Sequence, residues 1–431
     1  MRSNAARIPE RGDEGVRHPA GPAPHETGAA QMAARAPAPF TILLAVPTLD
    51  NGAAEAGVID AVRILCDAGQ RAIVVSRGGR REAEVNQAGG EWVKLDVGSI
   101  NPAIMLANVP RLARLIRRRG CDIVHAHGRA PAWSGHVAAR MTGRPFVTTW
   151  HKGFREQNPL KRLYNSVMVR GDRVVAVSAQ IADLIGDRYR MPAERLRVIP
   201  AGIDPLAFDP AAIAPGRIEE ARRIFGVGPN TKVALVVGRM LRRKGHHVVV
   251  QAVQRLKSLG VKDFVCVFAS EEAGTRYAEE LWDQVLASDV ADVIRLVGPL
   301  EDVAAAYAAS TVMVSAAVQP EGLQRAILEA QAMACPVIAS DLGAGADVVL
   351  APPSVPEERM TGLRFPAGDD AALAAALVRV FCMSEPERRA IGARGRAWVA
   401  THFNPETVAR ETLGLYAGLI RGRAGADLSS S

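Results

Sequence analysis

Two glutamates eight residues apart, Glu321 and Glu329, lie in Pro320-Glu321-Gly322-Leu323-Gln324-Arg325-Ala326-Ile327-Leu328-Glu329-Ala330. Pro320 and Gly322 are turn formers, and the apolar run 326–334 reads as a buried helix. Eight helical steps rise roughly 12 Å, whereas the two carboxyl groups of a glycosidase stand about 5 to 9.5 Å apart. The pair is therefore unsuited to act as one acid/base dyad and better suited to hold two parts of one extended ligand. Between them, the backbone amides of Leu323, Gln324 and Arg325 open a helix and offer its N-terminus to an anion.

A second constellation is Val237-Gly238-Arg239-Met240-Leu241-Arg242-Arg243-Lys244-Gly245. Gly238 lets the chain turn out of a strand, and Arg239 and Lys244 place two cations at the exit. Arginine grips phosphate oxygens with a fork and lysine acts as a point charge. An ordinary basic loop has the same composition; paired with the Glu321 segment, a diphosphate site is the better reading. No GxxxxGK[ST] or GxGxxG is present. His151 ends the run Phe146-Val147-Thr148-Thr149-Trp150 and can donate to a ligand hydroxyl or a developing phosphate charge, or else serve as a structural histidine. His127, in His125-Ala126-His127-Gly128, is the better cleft candidate of its pair. The two histidines match a metal pair in spacing only, so no metal site is expected. Gly52 opens the first helix after the first strand, where its loop amides can meet a phosphate or a sugar, or else form a plain flexible turn.

The elements that must position these groups follow from the pattern. Short β-branched runs alternate with helical stretches, with strands expected at 41–46, 72–76, 92–97, 122–127, 146–150, 174–178 and 197–200. A second series is expected at 233–238, 264–269, 294–297, 312–315 and 336–340. This spacing predicts an α/β protein of two Rossmann-like domains, with parallel sheets facing across a cleft. Ligands of such sheets bind beyond the carboxyl ends of the strands. That is where Gly52, His127, His151, Ser178, Arg239 and the Glu321 loop fall. The expected partition is a disordered leader at 1–38, a first Rossmann-like domain at 39–208 and a second at 209–395. A C-terminal helix at 396–420 returns to the first domain, and 421–431 form a flexible tail.

Composition excludes several classes. The 431 residues are 48% hydrophobic and 23% charged, as in soluble globular proteins, and no apolar run is long enough to span a bilayer. Five scattered cysteines without a CxxC argue against a disulfide framework and fit a reducing cytoplasm. The net charge is +8. Its densest cluster (Arg111, Arg114, Arg117, Arg118 and Arg119) has the form of a basic amphipathic helix. It suits an anionic membrane surface, nucleic acid or a solvated face. Aromatic platforms and recognition motifs for nucleic acid are missing, so no nucleic-acid partner is expected.

Taken together, Gly238-Arg239 with Lys244-Gly245, Glu321-x7-Glu329, Ala332-Met333 and Pro336-Val337-Ile338-Ala339-Ser340 resemble the donor-site signature of glycosyltransferase family 4. The resemblance extends from about residue 41 to 420. It takes in Val174-Val175-Ala176-Val177-Ser178, Val198-Ile199-Pro200-Ala201-Gly202-Ile203-Asp204 and Gly362-Leu363-Arg364-Phe365-Pro366-Ala367-Gly368-Asp369. It is nearest to bacterial members of lipopolysaccharide and surface-glycan assembly. The resemblance implies a GT-B fold and retaining transfer of a sugar from a nucleotide-diphosphate sugar to a glycan or lipid-linked acceptor. Metal and other cofactors are not implied. Arg239 and Lys244 would hold the diphosphate, Glu321 the donor-sugar hydroxyls and Glu329 the ribose. His151 would sit near sugar and phosphate. Gly52, His127, Gly238, Gly322, Leu323, Gln324 and Arg325 would line the substrates. The basic helix would meet a membrane-held acceptor from the cytoplasmic side. Gln324 replaces the family's usual glycine, Asp347 a glutamate, Ala53 the second glycine beside Gly52, and Lys152 a small residue. Gln324 carries the alternative, a catalytically weak or inactive sugar-nucleotide- or glycan-binding protein of the same fold.

Overall fold

The computed structural model describes residues 39–50, 52–154, 158–204, 206–270, 275–343 and 345–429. The leader expected at 1–38 lies outside them. Strands β1 (Thr41–Ala45), β2 (Arg71–Ser76), β3 (Glu91–Lys94), β4 (Ile123–Ala126), β5 (Phe146–Trp150), β6 (Arg173–Ala176) and β7 (Leu196–Val198) form the first sheet. Strands β8 (Lys232–Val237), β9 (Phe264–Ala269), β10 (Ile294–Val297), β11 (Val312–Ser315), β12 (Val337–Ser340) and β13 (Leu363–Phe365) form the second. Every pairing is parallel, in the orders β3-β2-β1-β4-β5-β6-β7 and β10-β9-β8-β11-β12-β13. In both sheets the order reverses beside the first strand. That opens a crevice at the carboxyl ends of β1/β4 and of β8/β11, where open α/β sheets bind ligands.

The strands are nearly continuous runs of buried Val, Ile, Leu and Ala, because helices cover both faces of each sheet. Two apolar clusters sandwich the first sheet and two sandwich the second. Of the thirteen strands among the described residues, β13 escapes the sequence reading. It has three residues, and Arg364 interrupts its apolar pattern.

The C-terminal segment differs from the expectation of one helix at 396–420 followed by a flexible tail. It is two helices, Glu385–His402 and Pro405–Ser429, broken where Pro405 can start a helix but not continue one. The second helix continues past residue 420 through Arg421, Arg423 and Ala424, all good helix formers. The first packs Ile391 and Val399 into the clusters of the second sheet. The second helix packs Tyr416 and Leu413 against the first sheet. Tyr416 meets Phe40 edge-on with ring centroids 6.4 Å apart.

Candidate active site

The site lies where the crevices of the two sheets meet. Val237 ends β8, and Gly238 turns the chain at φ +138°, a conformation that glycine adopts without steric cost. Residues Arg242–Lys244 form a single 3₁₀ turn, and Val318 N–H donates to the carbonyl of Arg243 (2.9 Å), tying this turn to the loop after β11. The Glu321 carboxylate then reaches two cations at once. Lys244 Nζ lies 2.5 Å from Oε2 and Arg243 Nε lies 3.0 Å from Oε1. Glu321 is buried, so the carboxylate is shielded from water and salt, while Lys244 and more so Arg243 keep part of their side chains in solvent.

Cations from the first sheet complete the charge field. Burial holds Lys152 below the ordinary lysine range, and the guanidinium groups of Arg129, Arg243 and Arg239 lower it further, while Glu55 acts in the opposite direction. Such crowding of cations costs energy unless an anion sits among them. Arg239 is exposed at the exit of β8. Arg243 and Arg129 were absent from the residues picked out by sequence. Arg243 could have been found, since it sits beside Lys244 in the same turn. Arg129 opens the helix Arg129–Thr142 that follows β4 of the first sheet and carries no local signal.

Helix Arg325–Ala332 begins with Gln324 as its N-cap at φ −87°, a conformation open to any residue. The Gln324 side chain turns inward, where its Oε1 accepts from Ser315 Oγ (2.6 Å). Arg325 reaches across to Asp60 of helix Ala53–Asp67 in the first half, Nη1 to Oδ2 3.3 Å. Leu323 packs its side chain against the apolar clusters of both halves. Glu329 lies one helical segment on, with Oε2 accepting from Tyr307 Oη (3.0 Å). Burial raises its carboxyl above the usual range, against the lowering effects of Tyr307 and Arg325. Asp347 is also committed across the halves, its Oδ2 accepting from Gln180 N–H (3.0 Å) at the start of helix Ala179–Tyr189.

On the first sheet, His127 and His151 leave β4 and β5 side by side, with His127 Nδ1 and His151 Nε2 2.9 Å apart. His127 is 3% exposed and stands behind His151. Its Nε2 is buried without a partner. A buried acceptor without a donor is tolerated better than an orphaned N–H. We therefore assign the shared hydrogen to His127 Nδ1, which leaves His151 protonated at Nδ1. That edge of the His151 ring lies over Gly57, where an added Cβ would stand 2.6 Å from Cε1. His125 bonds Tyr416 Oη and Thr149 Oγ1, each at 2.7 Å, so the returning C-terminal helix buttresses this histidine stack. Gly52 is the N-cap of helix Ala53–Asp67, and Glu55 folds beneath it to accept from Thr48 Oγ1 (2.8 Å).

The structure thus brings together Lys244, Glu321, Gly322, Leu323, Gln324 and His151. It sets His127 behind His151 and commits Arg325 to Asp60. Among the described residues, no group of three or more His, Cys, Asp or Glu is placed to hold a metal ion.

Burial drives His151 down to about 4 and, with His151's help, His125 to about 3. His246, beyond Lys244, is lowered to about 4 by burial first and then by Lys244 and His247. These rings are neutral in the folded chain. Below pH ~6.5 the unfolded chain takes up protons that the folded chain refuses, so stability falls as pH drops from there toward about 4 and is unaffected above. Each such ring contributes about 2 kcal/mol of that loss by pH 5. His246→Leu is expected to shrink the difference in unfolding free energy between pH 7 and pH 5 by this amount, read from urea midpoints. An unchanged difference would refute the buried neutral state.

Comparison with known proteins identifies the family. Residues 54–205 match the family model for Glycosyltransferase Family 4, and residues 231–382 match that for Glycosyl transferases group 1. The chain is 31% identical over 337 residues to a D-inositol 3-phosphate glycosyltransferase of Kineococcus radiotolerans, covering 72% of this chain and 75% of that one. It superposes on a crystal structure of a glycosyltransferase from Rickettsia africae with a TM-score of 0.80 and 28% identity, covering 89% and 99% of the two chains. HepE of Anabaena, crystallised in complex with UDP-glucose, shares the fold at a TM-score of 0.73 and 18% identity, covering 88% and 100%. The chain belongs to glycosyltransferase family 4 and is a glycosyltransferase of the GT-B fold.

Proposed function

We propose that the protein transfers a sugar, with retention of configuration and without a metal ion, from a nucleotide-diphosphate sugar to a glycan or lipid-linked acceptor of surface-polysaccharide assembly. The observation that carries the donor reading is the pairing of Arg243 and Lys244 with buried Glu321, with Lys152 in the field of Arg243, Arg239 and Arg129 beside them. A diphosphate entering this cluster meets fixed cations that stabilise the leaving charge with little reorganisation. Glu321 sets the position of Lys244 and then takes donor-sugar hydroxyls, and Glu329 takes the ribose. His151 presents Nδ1–H toward sugar and phosphate, with Gly52, Gly238, Gly322, Leu323 and Gln324 forming the walls. His127 acts by orienting His151. The acceptor's proton leaves with the departing phosphate oxygen, so no further carboxylate is needed as base. The UDP-glucose complex of HepE supports a uridine nucleotide as the first donor to test.

Membrane contact is part of the proposal. Helix Pro102–Arg119 turns Arg111, Arg114, Arg117 and Arg118 to solvent, with Leu106 exposed on the same helix, a combination that suits the cytoplasmic face of an anionic bilayer. Among the described residues no helix is long and apolar enough to cross a membrane. A second acceptor reading, a small phosphorylated polyol or sugar, is favoured by Lys152 and Arg129 lying on the acceptor side and by the name of the Kineococcus relative.

The test is a thermal-shift screen of nucleotide sugars, followed by nucleoside diphosphate release with glycolipid and with phosphorylated small acceptors, in chelator. Acceptor-dependent release with an axial (α) product linkage from an α-linked donor is expected. Donor binding without turnover under any acceptor would establish the binding-protein alternative. Restoration of turnover by a divalent ion would refute metal independence.

A further inference from the structure

At the opposite end of the first sheet from His151, the N-terminal ends of β5, β6 and β7 border an open cavity of about 810 Å³. Arg140, Arg170, Arg173 and Arg195 line it, with Asp172 as the one carboxylate. Asp172 already accepts from Phe146 N–H at 2.7 Å. Arg195 is anchored by two bonds from a single nitrogen, Nη2, to the carbonyls of Gly171 (2.6 Å) and Val169 (3.0 Å). Arg170 lies over the Trp133 ring, 5.2 Å from its centroid. These contacts hold the guanidinium groups in place, and each carries five donors. None can lose its charge at ordinary pH.

The far wall is helix Pro405–Ser429, which presents Gly418 and Gly422 to the cavity. A Cβ added at either would meet nothing within 4 Å. Glycine inside a helix costs roughly 0.5–1 kcal/mol against alanine, so two of them here keep open a space that side chains would fill. An adjoining cavity of about 450 Å³ shares Arg140 and Asp172 and adds Arg144. Four arginines, Arg170 and Arg195 held by these contacts, against one committed carboxylate call for an anion, and the volume exceeds that of a single phosphate ion. We propose that this cavity is a second anion site, remote from the donor crevice, that takes a soluble ligand carrying two or more phosphate groups.

The experiment is calorimetric titration of inorganic tripolyphosphate into the full chain carrying Arg239→Ala and Lys244→Ala. If the donor assignment is wrong, those changes are silent and the titration still reads this cavity. One saturable event is expected, weakened at least tenfold by adding Arg140→Gln and Arg170→Gln, and abolished by adding Gly418→Leu, which fills the space from a helix that tolerates leucine. Circular dichroism verifies folding of each variant. Absence of saturable binding, or binding indifferent to both Arg140→Gln/Arg170→Gln and Gly418→Leu, overturns the proposal. Phosphatidylglycerol vesicles form the second arm. If the arginine changes lower vesicle binding but not tripolyphosphate binding, the site reads a lipid headgroup and the soluble-ligand proposal fails.

Discussion

Lys244→Ala is expected to lower kcat/KM for donor turnover by about 10² to 10³, the usual loss when one preorganised charge donor is removed from a reacting phosphate or oxyanion. The ammonium stands 2.5 Å from Glu321 Oε2 while Arg243 holds the other oxygen. Its removal therefore does two things. A positive charge disappears from where the leaving diphosphate accumulates charge, and Glu321 swings free toward Arg243. Lys244→Arg keeps the charge but replaces a point with a wider planar fork, so part of the loss should return. Thermal melts separate the chemical effect from unfolding. Because Arg243 still pairs with Glu321, the melting temperature should fall by only a few degrees. Turnover within fivefold of the unaltered chain, measured as nucleoside diphosphate release, would remove Lys244 from the diphosphate site.

The contrast between what could be read in the residues and what could not follows a physical line. Twelve strands were legible because a parallel sheet buried on both faces needs unbroken β-branched runs, and runs such as Phe264–Ala269 and Val312–Ser315 appear in the structure with the expected bounds. The Glu321 loop and the Lys244 turn were legible because each is a short local pattern tied to a strand end. Partners contributed by distant segments were not. Nothing near His125 announces Tyr416, and nothing near Arg325 announces Asp60. Gln324 shows the same limit from the other side. As a sequence departure it suggests a blocked phosphate site. In the folded chain its backbone is extended at φ −87° and its amide is turned to Ser315, which weakens the case for the inactive alternative.

Gly322→Ala is expected to cost about 10²-fold in activity, at the lower end of the Lys244→Ala loss, through packing alone. A Cβ at this position would lie 1.7 Å from the carbonyl oxygen of His151 and 2.8 Å from its carbonyl carbon. No rotamer relieves that overlap, since the atoms met are backbone. The loop carrying Glu321 must back away from the strand end carrying His151. Leu323 is the next residue, packed against the clusters of both halves, so the movement also pulls apart the apolar contact that sets their spacing. Displacements near 1 Å in positioning groups cost on the order of 10²-fold in rate. Gly153 supplies the internal control. It faces the same loop, but its added Cβ would meet Pro320 Cβ at 3.0 Å, a contact that asks for a shift of about a few tenths of an ångström where Gly322 would overlap backbone outright. Gly153→Ala should therefore keep transfer within about fivefold, while Gly322→Ala loses about 10²-fold and small-angle scattering shows a wider separation of the halves. Equal activity in the two variants would mean that the close approach of Gly322 to His151 is not what aligns the site.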